Sequence, residues 1–175
     1  MKIGFDARMI RHSGIGTYIR GILKFLTEKE NLDFTLFGDL SKIADYHAKK
    51  VLADFPIYSV REQVFFPALL KKEPCDIFHV PHYNAPVGFK GNLVVTIHDL
   101  IHLKFPPSRI AYLYARGMFE AVCRKAKVLI ADSLNTRKDI IEMIGVREDK
   151  IKVVYPAAGE EFSPVSGKRT KGTSP

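Results

Sequence analysis

The chain has 175 residues, of which 46% are hydrophobic and 26% charged, as in one globular domain, and it is short for two. No apolar run approaches the roughly 20 residues of a membrane-spanning helix, and charged residues follow Lys2 too soon for a secretory signal, so we predict a cytoplasmic protein. The net charge of +8 suits a phosphorylated substrate or an anionic membrane surface; nucleic acid is not expected, because no basic run is interleaved with aromatic residues.

The chain begins with a short apolar strand (residues 3–5) and a loop that ends in Gly14 and Gly16. The helix that follows has its apolar side chains three and four residues apart, on one face. Backbone N–H groups at such a helix N-terminus can meet an anion, so we expect a phosphate-bearing ligand near Gly14 and Gly16. The alternative is that the two glycines mark only a turn.

Strands and helices alternate along the rest of the chain. Further strands are predicted at residues 33–37, 57–60, 76–80, 93–97, 128–131 and 151–155. Helices are predicted at residues 41–53, at 62–72 with Pro67 in the first turn or at a kink, at 110–125, and from Ser133 or Asn135 to Ile144. We expect a folded domain over residues 1–164 and a disordered tail or truncated linker over residues 165–175.

This alternation predicts an α/β fold, a Rossmann-like doubly wound parallel sheet with helices on both faces. Ligands in such folds bind beyond the carboxyl ends of the strands, at a switch point in strand order. Four polar clusters follow predicted strands, at residues 6–16, 79–84, 98–99 and 132–133. We therefore expect these clusters to form one site.

His98 directly follows an apolar strand, so it could act as an acid, a base or a hydrogen-bond donor, or it could merely hold the loop. A metal site is not expected, because the histidines at 79, 82, 98 and 102 lie on separate strands and loops without paired cysteines. Ser133 lacks the glycine pattern of a hydrolase nucleophile. The third glycine of a dinucleotide fingerprint is also missing, which disfavours NAD.

Several segments together resemble the retaining glycosyltransferases of family 4, and bacterial mannosyltransferase-like members that use a GDP- or UDP-sugar in particular. The resemblance covers about residues 1–164. Its segments are Ile-Gly-Phe-Asp-Ala-Arg (residues 3–8), Gly-Ile-Gly-Thr-Tyr (14–18), Thr-Ile-His-Asp-Leu (96–100), Ala-Asp-Ser (131–133), Val-Val-Tyr-Pro (153–156) and Phe-Ser-Pro (162–164).

The resemblance implies the N-terminal half of a GT-B fold, in which two Rossmann-like domains face each other across a cleft. It implies that Gly14 and Gly16 lie beside the donor phosphates and that His98 is catalytic and contacts the transferred sugar. No cofactor and no metal are expected, because such enzymes neutralise the leaving diphosphate with basic side chains and helix dipoles. The remaining acceptor-site or cleft residues are expected to be Asp6, Arg8, Tyr83, Asn84, Asp99 and Ser133.

The sequence departs from the family in two places. Residues 157–160 read Ala-Ala-Gly-Glu where the family usually has Gly-Val-Asp, and the nucleotide-binding half with its basic pair and glutamates is missing. We therefore expect the acceptor-binding half of a retaining hexosyltransferase, mannose being one candidate sugar, with weak or no activity alone.

Its expected partners are a nucleotide sugar, a glycan or lipid-linked acceptor at the inner membrane face, and either a separate C-terminal half or a second copy of itself. The alternatives are a non-catalytic binding or regulatory module and, less favoured, a sugar-nucleotide epimerase.

Overall fold

The computed structural model describes residues 1–157, so the predicted tail, Phe162–Pro164 and the departure at residues 158–160 lie outside the described residues. The strands are β1 (Lys2–Asp6), β2 (Asp33–Gly38), β3 (Lys49–Leu52), β4 (Ile77–Val80), β5 (Asn92–Ile97), β6 (Val128–Ala131) and β7 (Ile151–Val153). The α-helices are α1 (Gly14–Leu26), α2 (Val60–Lys72), α3 (Ile101–Lys104), α4 (Arg109–Lys125) and α5 (Leu134–Ile144), and a 3-10 turn covers Glu148–Lys150.

The strands in the described part form one parallel sheet in the order β3-β2-β1-β4-β5-β6-β7. The chain runs outward from β1 to β3 and then crosses to the other side of β1 to place β4. Because parallel connections are right-handed, this reversal puts α1 on one face of the sheet and α2, α4 and α5 on the other. The switch point in strand order therefore lies between β1 and β4.

Apolar side chains fill both faces of the sheet, as the continuous apolar strands require. Ile19 and Leu23 of α1 pack with Phe5 and Leu36 on one face. On the other face, the helices contribute Phe66, Leu70, Phe119, Val122 and Ile140 to a larger core. The predicted doubly wound α/β fold is confirmed. No helix within residues 1–157 has the length and apolar character to cross a membrane.

Two predicted elements between β2 and α2 are wrong. Residues 41–53 do not form a helix: Asp39 Oδ1 accepts hydrogen bonds from both the backbone N–H and the hydroxyl of Ser41, and turns lead into the edge strand β3. The predicted strand at residues 57–60 is instead a turn that leads into α2 at Val60, and Tyr58 within it has a positive φ of 65°, outside the region that regular strands occupy. Ser59 then caps α2, with its hydroxyl oxygen 3.1 Å from the backbone nitrogen of Glu62.

Other differences are smaller. Pro67 lies inside α2, so of the two predicted positions the first turn is excluded. The sequence analysis missed α3, a single helical turn that follows β5. The predicted boundaries of α4 and α5 agree with the structure to within a residue or two, and α5 ends at Gly145, which has a φ of 77° in the left-handed region.

Candidate functional site

Gly14 and Gly16 lie in the first turn of α1 and have different surroundings. A Cβ atom built on Gly16 would lie 2.7 Å from the carbonyl oxygen of Ile10 and 3.0 Å from Nη1 of Arg20, which itself donates to that carbonyl. Gly16 therefore lets the loop pack closely against the helix. A Cβ atom on Gly14 would meet nothing within 4 Å, so this residue, which is exposed, borders open space.

The first turn of α1 also differs from those of the other long helices. Ser59, Ser108 and Ser133 each accept a hydrogen bond from the first turn of α2, α4 and α5 respectively. Ser13 makes no such bond to α1. Like α4 and α5, α1 has no acidic residue in its first turn. Its N–H groups and the positive end of its dipole therefore face an open position that an anion could occupy.

His98 follows β5 and is held from three sides. Its Nε2 lies 3.1 Å from the carbonyl oxygen of Pro81, and its Nδ1 lies 3.2 Å from Oδ2 of Asp132. The ring of Tyr18 packs edge-on against the imidazole, with centroids 4.8 Å apart. Since Tyr18 lies one turn after Gly14, this contact places the N-terminal turn of α1 beside His98. Both imidazole nitrogens face oxygen atoms of the protein, so a hydrogen bond to a ligand requires one of these contacts to open.

A buried polar chain lies beneath this contact. The hydroxyl of Tyr18 is 3.0 Å from Oγ1 of Thr96, and that oxygen is 2.9 Å from Nε2 of His79. Burial lowers the pKa of His79 to about 4, and a nearby His98 acts in the same direction. His79 is therefore neutral near pH 7, and the polar chain supports Tyr18 from the sheet.

Arg8 links two carboxylates at the switch point. Its Nη2 donates to Oδ2 of Asp6 at 2.6 Å and to Oε1 of Glu62 at 2.7 Å, and its guanidinium lies 4.2 Å from the ring centroid of Phe66. Burial alone would lower the pKa of Arg8, but the two carboxylates outweigh burial and raise it. Burial raises the pKa of Glu62, although Arg8 opposes this. Asp6 and Arg8 thus form, with Glu62, a rigid and buried ion-pair network at the switch point.

The same network reaches the loop after β4. Nδ2 of Asn84 donates to Oε2 of Glu62 at 2.5 Å, and the hydroxyl of Tyr114 donates to Oδ1 of Asn84 at 2.6 Å. Burial raises the pKa of Tyr114 to about 12, so this hydroxyl keeps its proton at neutral pH. The structure therefore brings Asp6, Arg8 and Asn84 together, as the sequence predicts, through Glu62, which the sequence analysis did not single out.

The other predicted site residues have local structural partners. Tyr83 is 5% exposed and stacks on Phe119, with ring centroids 4.2 Å apart. The carboxylate of Asp99 accepts the backbone N–H of Ile101 and does not pair with the neighbouring His98. Ser133 caps α5 through the backbone N–H of Thr136. Their roles in ligand binding stay predictions.

Sequence reasoning also missed Tyr58 and Tyr114, which line the edge beside Asn84, and Tyr18 as the partner of His98. One available signal was Ser59-Val60-Arg61-Glu62, which has the serine and glutamate spacing of a helix capping box and marks the true start of α2. Within residues 1–157, no group of three or more His, Cys, Asp or Glu side chains is arranged to hold a metal ion.

A parallel sheet with this switch point is a Rossmann-like α/β fold. The family model described as Glycosyltransferase Family 4 matches residues 12–159, most of the chain. The chain belongs to glycosyltransferase family 4, and it is a glycosyltransferase-like N-terminal domain. No curated protein sequence gives a significant match.

Solved structures share the fold at low sequence identity. Anabaena HepE, solved in complex with UDP, is 19% identical with a TM-score of 0.60, and the match covers 89% of this chain and 44% of that one. A Rickettsia africae glycosyltransferase is 14% identical with a TM-score of 0.57, covering 88% and 42%. A candidate UDP-N-acetylglucosamine 2-epimerase from Listeria monocytogenes is 11% identical with a TM-score of 0.53, covering 86% and 43%. The chain thus spans less than half the length of these proteins.

Proposed function

We propose that this domain is the acceptor-side half of a retaining glycosyltransferase that transfers a hexose, with mannose the first candidate, from a GDP- or UDP-sugar. The observation that carries the proposal is the open N-terminal turn of α1, with Gly14 facing free space and Tyr18 joining the same turn to His98. A diphosphate at that turn would meet backbone N–H groups and the helix dipole beside the histidine.

In this proposal the residues divide into two groups. The turn at Gly14 receives the donor diphosphate, and His98 contacts the transferred sugar after one of its ring nitrogens leaves the Pro81 carbonyl or Asp132. Asp6, Arg8 and Asn84 hold the acceptor side in place through Glu62. The diphosphate charge would be neutralised by backbone N–H groups and basic side chains, so no metal is required. The complex of HepE with UDP supports a uridine nucleotide as one candidate donor.

Turnover by this chain alone is expected to be weak or absent. Such chemistry depends on closing two halves around donor and acceptor, which excludes water and aligns the reacting atoms. We propose that a nucleotide-binding half, on a separate chain or on a partner copy, completes the cleft. Apolar side chains at this edge, including Phe105 (77% exposed) and Ile110 (81%), favour such a contact. Size-exclusion chromatography with light scattering, at several concentrations, tests self-association.

The second candidate is a non-catalytic binding module. The specific observation that favours it is that both ring nitrogens of His98 already face protein oxygens. The alternative function of a sugar-nucleotide epimerase is supported only by the shared fold. His98→Ala in a complex reconstituted with a nucleotide-binding half separates the two main candidates, because only a transferase loses turnover.

The test of the phosphate site is saturation-transfer NMR with UDP, GDP, UDP-glucose and GDP-mannose. Gly14→Val fills the open space at the N-terminal turn. Gly21→Val is the matched control, because Gly21 also lies on α1 with nothing within 4 Å of a built Cβ. We expect one nucleotide class to bind the wild type and the control and to lose binding to Gly14→Val. Equal binding to both variants, or no binding to the wild type, would overturn the placement of the donor.

A further inference from the structure

Tyr58 has a backbone conformation that its side chain disfavours. Its φ of 65° is the one positive value of a non-glycine residue among residues 1–157. The left-handed region is uncommon for side chains other than Asn, Asp and His, and it is a clear outlier for bulky residues. Such outliers persist where surrounding contacts impose them, and they concentrate at ligand-binding sites. The contacts around Tyr58 therefore indicate what imposes this backbone conformation.

Polar contacts fix Tyr58 at both ends. Its backbone N–H donates to Oε2 of Glu62 at 2.9 Å, and its hydroxyl oxygen is 3.0 Å from Nε2 of His82. Burial lowers the pKa of His82 to about 4, so the ring is neutral near pH 7. Nδ1 of His82 accepts the backbone N–H of Asn84, which leaves the proton on Nε2, where it is donated to Tyr58.

Tyr58 stays partly exposed despite these contacts. The residue is 44% exposed and lies beside Tyr114, which is 41% exposed, with ring centroids 6.4 Å apart. The imidazole of His102, itself exposed, lies 6.4 Å from the Tyr58 ring, and Asp99 is exposed on the same short segment. A rigid aromatic surface is thus bordered by groups that can donate or accept hydrogen bonds.

Such a surface matches the chemistry of a sugar ring. A pyranose presents an apolar face of C–H groups, which stacks on an aromatic ring, and its hydroxyls radiate outward to polar partners. A tyrosine offers this contact at low entropic cost when its rotamer is fixed beforehand. Here Glu62 and His82 fix the ring, and the same Glu62 anchors Asn84 and Arg8.

We propose that Tyr58, with Tyr114 beside it, is the stacking platform on which the domain binds a pyranoside as its acceptor. This rests on the proposed function, since it names the substrate class of the acceptor side. Tyr58 is a binding and specificity residue, and the strained backbone is the means by which its ring is held toward the cleft.

The first experiment measures binding of methyl α-D-mannopyranoside and methyl β-D-glucopyranoside to the 175-residue chain by saturation-transfer NMR and by titration. Tyr58→Phe keeps the ring, whereas Tyr58→Gly removes it and suits a φ of 65°. Phe25→Ala is the matched control, because it removes an aromatic side chain from a 54% exposed residue near the C-terminal end of α1. We expect a glycoside to bind the wild type, Tyr58→Phe and Phe25→Ala through one C–H face, and its Kd to rise about tenfold or more in Tyr58→Gly.

A second measurement does not depend on any variant folding. The aromatic 1H–13C resonances of Tyr58 in the wild type are expected to shift on titration with the glycoside. Absence of glycoside binding, unshifted Tyr58 resonances, or equal binding by a folded Tyr58→Gly each overturn the platform. UDP is titrated into the same samples: UDP binding that Gly14→Val abolishes and Tyr58→Gly leaves intact keeps the proposed function even if the platform fails.

Discussion

Nδ1 of His98 lies 3.2 Å from Oδ2 of Asp132, although the two residues are far apart in sequence. The sheet register explains this, because Ile97 of β5 pairs with Ala131 of β6, so the next residue of each strand leaves the sheet side by side. The carboxylate of Asp99, adjacent to His98 in sequence, instead accepts the backbone N–H of Ile101, the first residue of α3. The orientation of the imidazole therefore depends on the neighbouring strand and not on its sequence neighbour.

We expect Asp132→Ala to remove the partner of Nδ1 of His98, with the Pro81 carbonyl and Tyr18 contacts remaining, and Asp99→Ala to leave the imidazole unchanged. The long-range 1H–15N spectrum of the histidine side chains measures this directly. The His98 signals should change in Asp132→Ala alone. A change of similar size in Asp99→Ala would contradict the role given to Asp132, because Asp99 has its own partner at the start of α3.

Replacing Gly16 by alanine should lower the stability of the domain much more than replacing Gly14 by alanine. Gly16→Ala places a Cβ 2.7 Å from the Ile10 carbonyl, and such overpacking costs about 1–3 kcal/mol of unfolding free energy. Gly14→Ala meets no atom and is expected to change stability by less than about 1 kcal/mol. Urea unfolding of the two variants measures the difference. Equal stability would show that the loop is free to move away from α1.

Arg8 should be far more important to stability than an exposed ion pair. Arg8→Met leaves the carboxylates of Asp6 and Glu62 buried without their cation, which costs about 3–5 kcal/mol. Lys138→Met is the control, since Lys138 and Glu142 are exposed and 3.8 Å apart on α5, a pair worth about 0.3–0.5 kcal/mol. Chemical unfolding of both variants at neutral pH tests the contrast. Similar losses would indicate that water reaches the Arg8 network.

Acid should destabilise the domain through its two buried histidines. Burial lowers the pKa of His79 and of His82 from 6.5 to about 4. Their contribution to stability is thus present above pH 6.5 and is lost as the pH falls toward 4, by about 1.4 kcal/mol per pH unit for each histidine.

The pH dependence can be assigned with single variants. His79→Gln should lower the slope of unfolding free energy against pH in this window by the contribution of about one bound proton, about 1.4 kcal/mol per pH unit. His47→Gln, at an exposed histidine in the turn before β3, is the control for losing one imidazole. If His79→Gln kept the full wild-type slope, acid destabilisation would have to come from other groups.

The sequence predicted the sheet well because its signals are local. Apolar runs at β5 and β6 and the spaced apolar face of α1 need no knowledge of the rest of the chain. The prediction of a helix at residues 41–53 is wrong because Ser41 is a plausible helix N-cap by sequence. In the structure the hydroxyl of Ser41 instead donates to Asp39. Lys49–Leu52 joins the sheet through pairing with β2, a distant contact that overrides local preference.

The candidate site was predictable only in part. Residues that follow strands, such as Asp6, Asn84 and His98, were found because parallel strands end at one edge. Glu62 was not, since a glutamate in the first turn of a helix is usually solvated. Here Arg8, Asn84 and the backbone N–H of Tyr58 make its burial favourable. Tyr58 lies in a segment predicted as a strand (residues 57–60), and no sequence pattern indicates its positive φ.

The position of β1 in the middle of the sheet has a consequence for the order in which the domain is assembled. Ile3 pairs with Phe34 on one side and with Ile77 on the other, so β1 has an open edge until the chain has been synthesised through β4. Closing that edge requires a contact between residues that are far apart in sequence. Such distant pairings slow folding. A nascent chain that has reached only β3 therefore leaves one edge of β1 unpaired, and an unpaired strand edge can pair with another molecule.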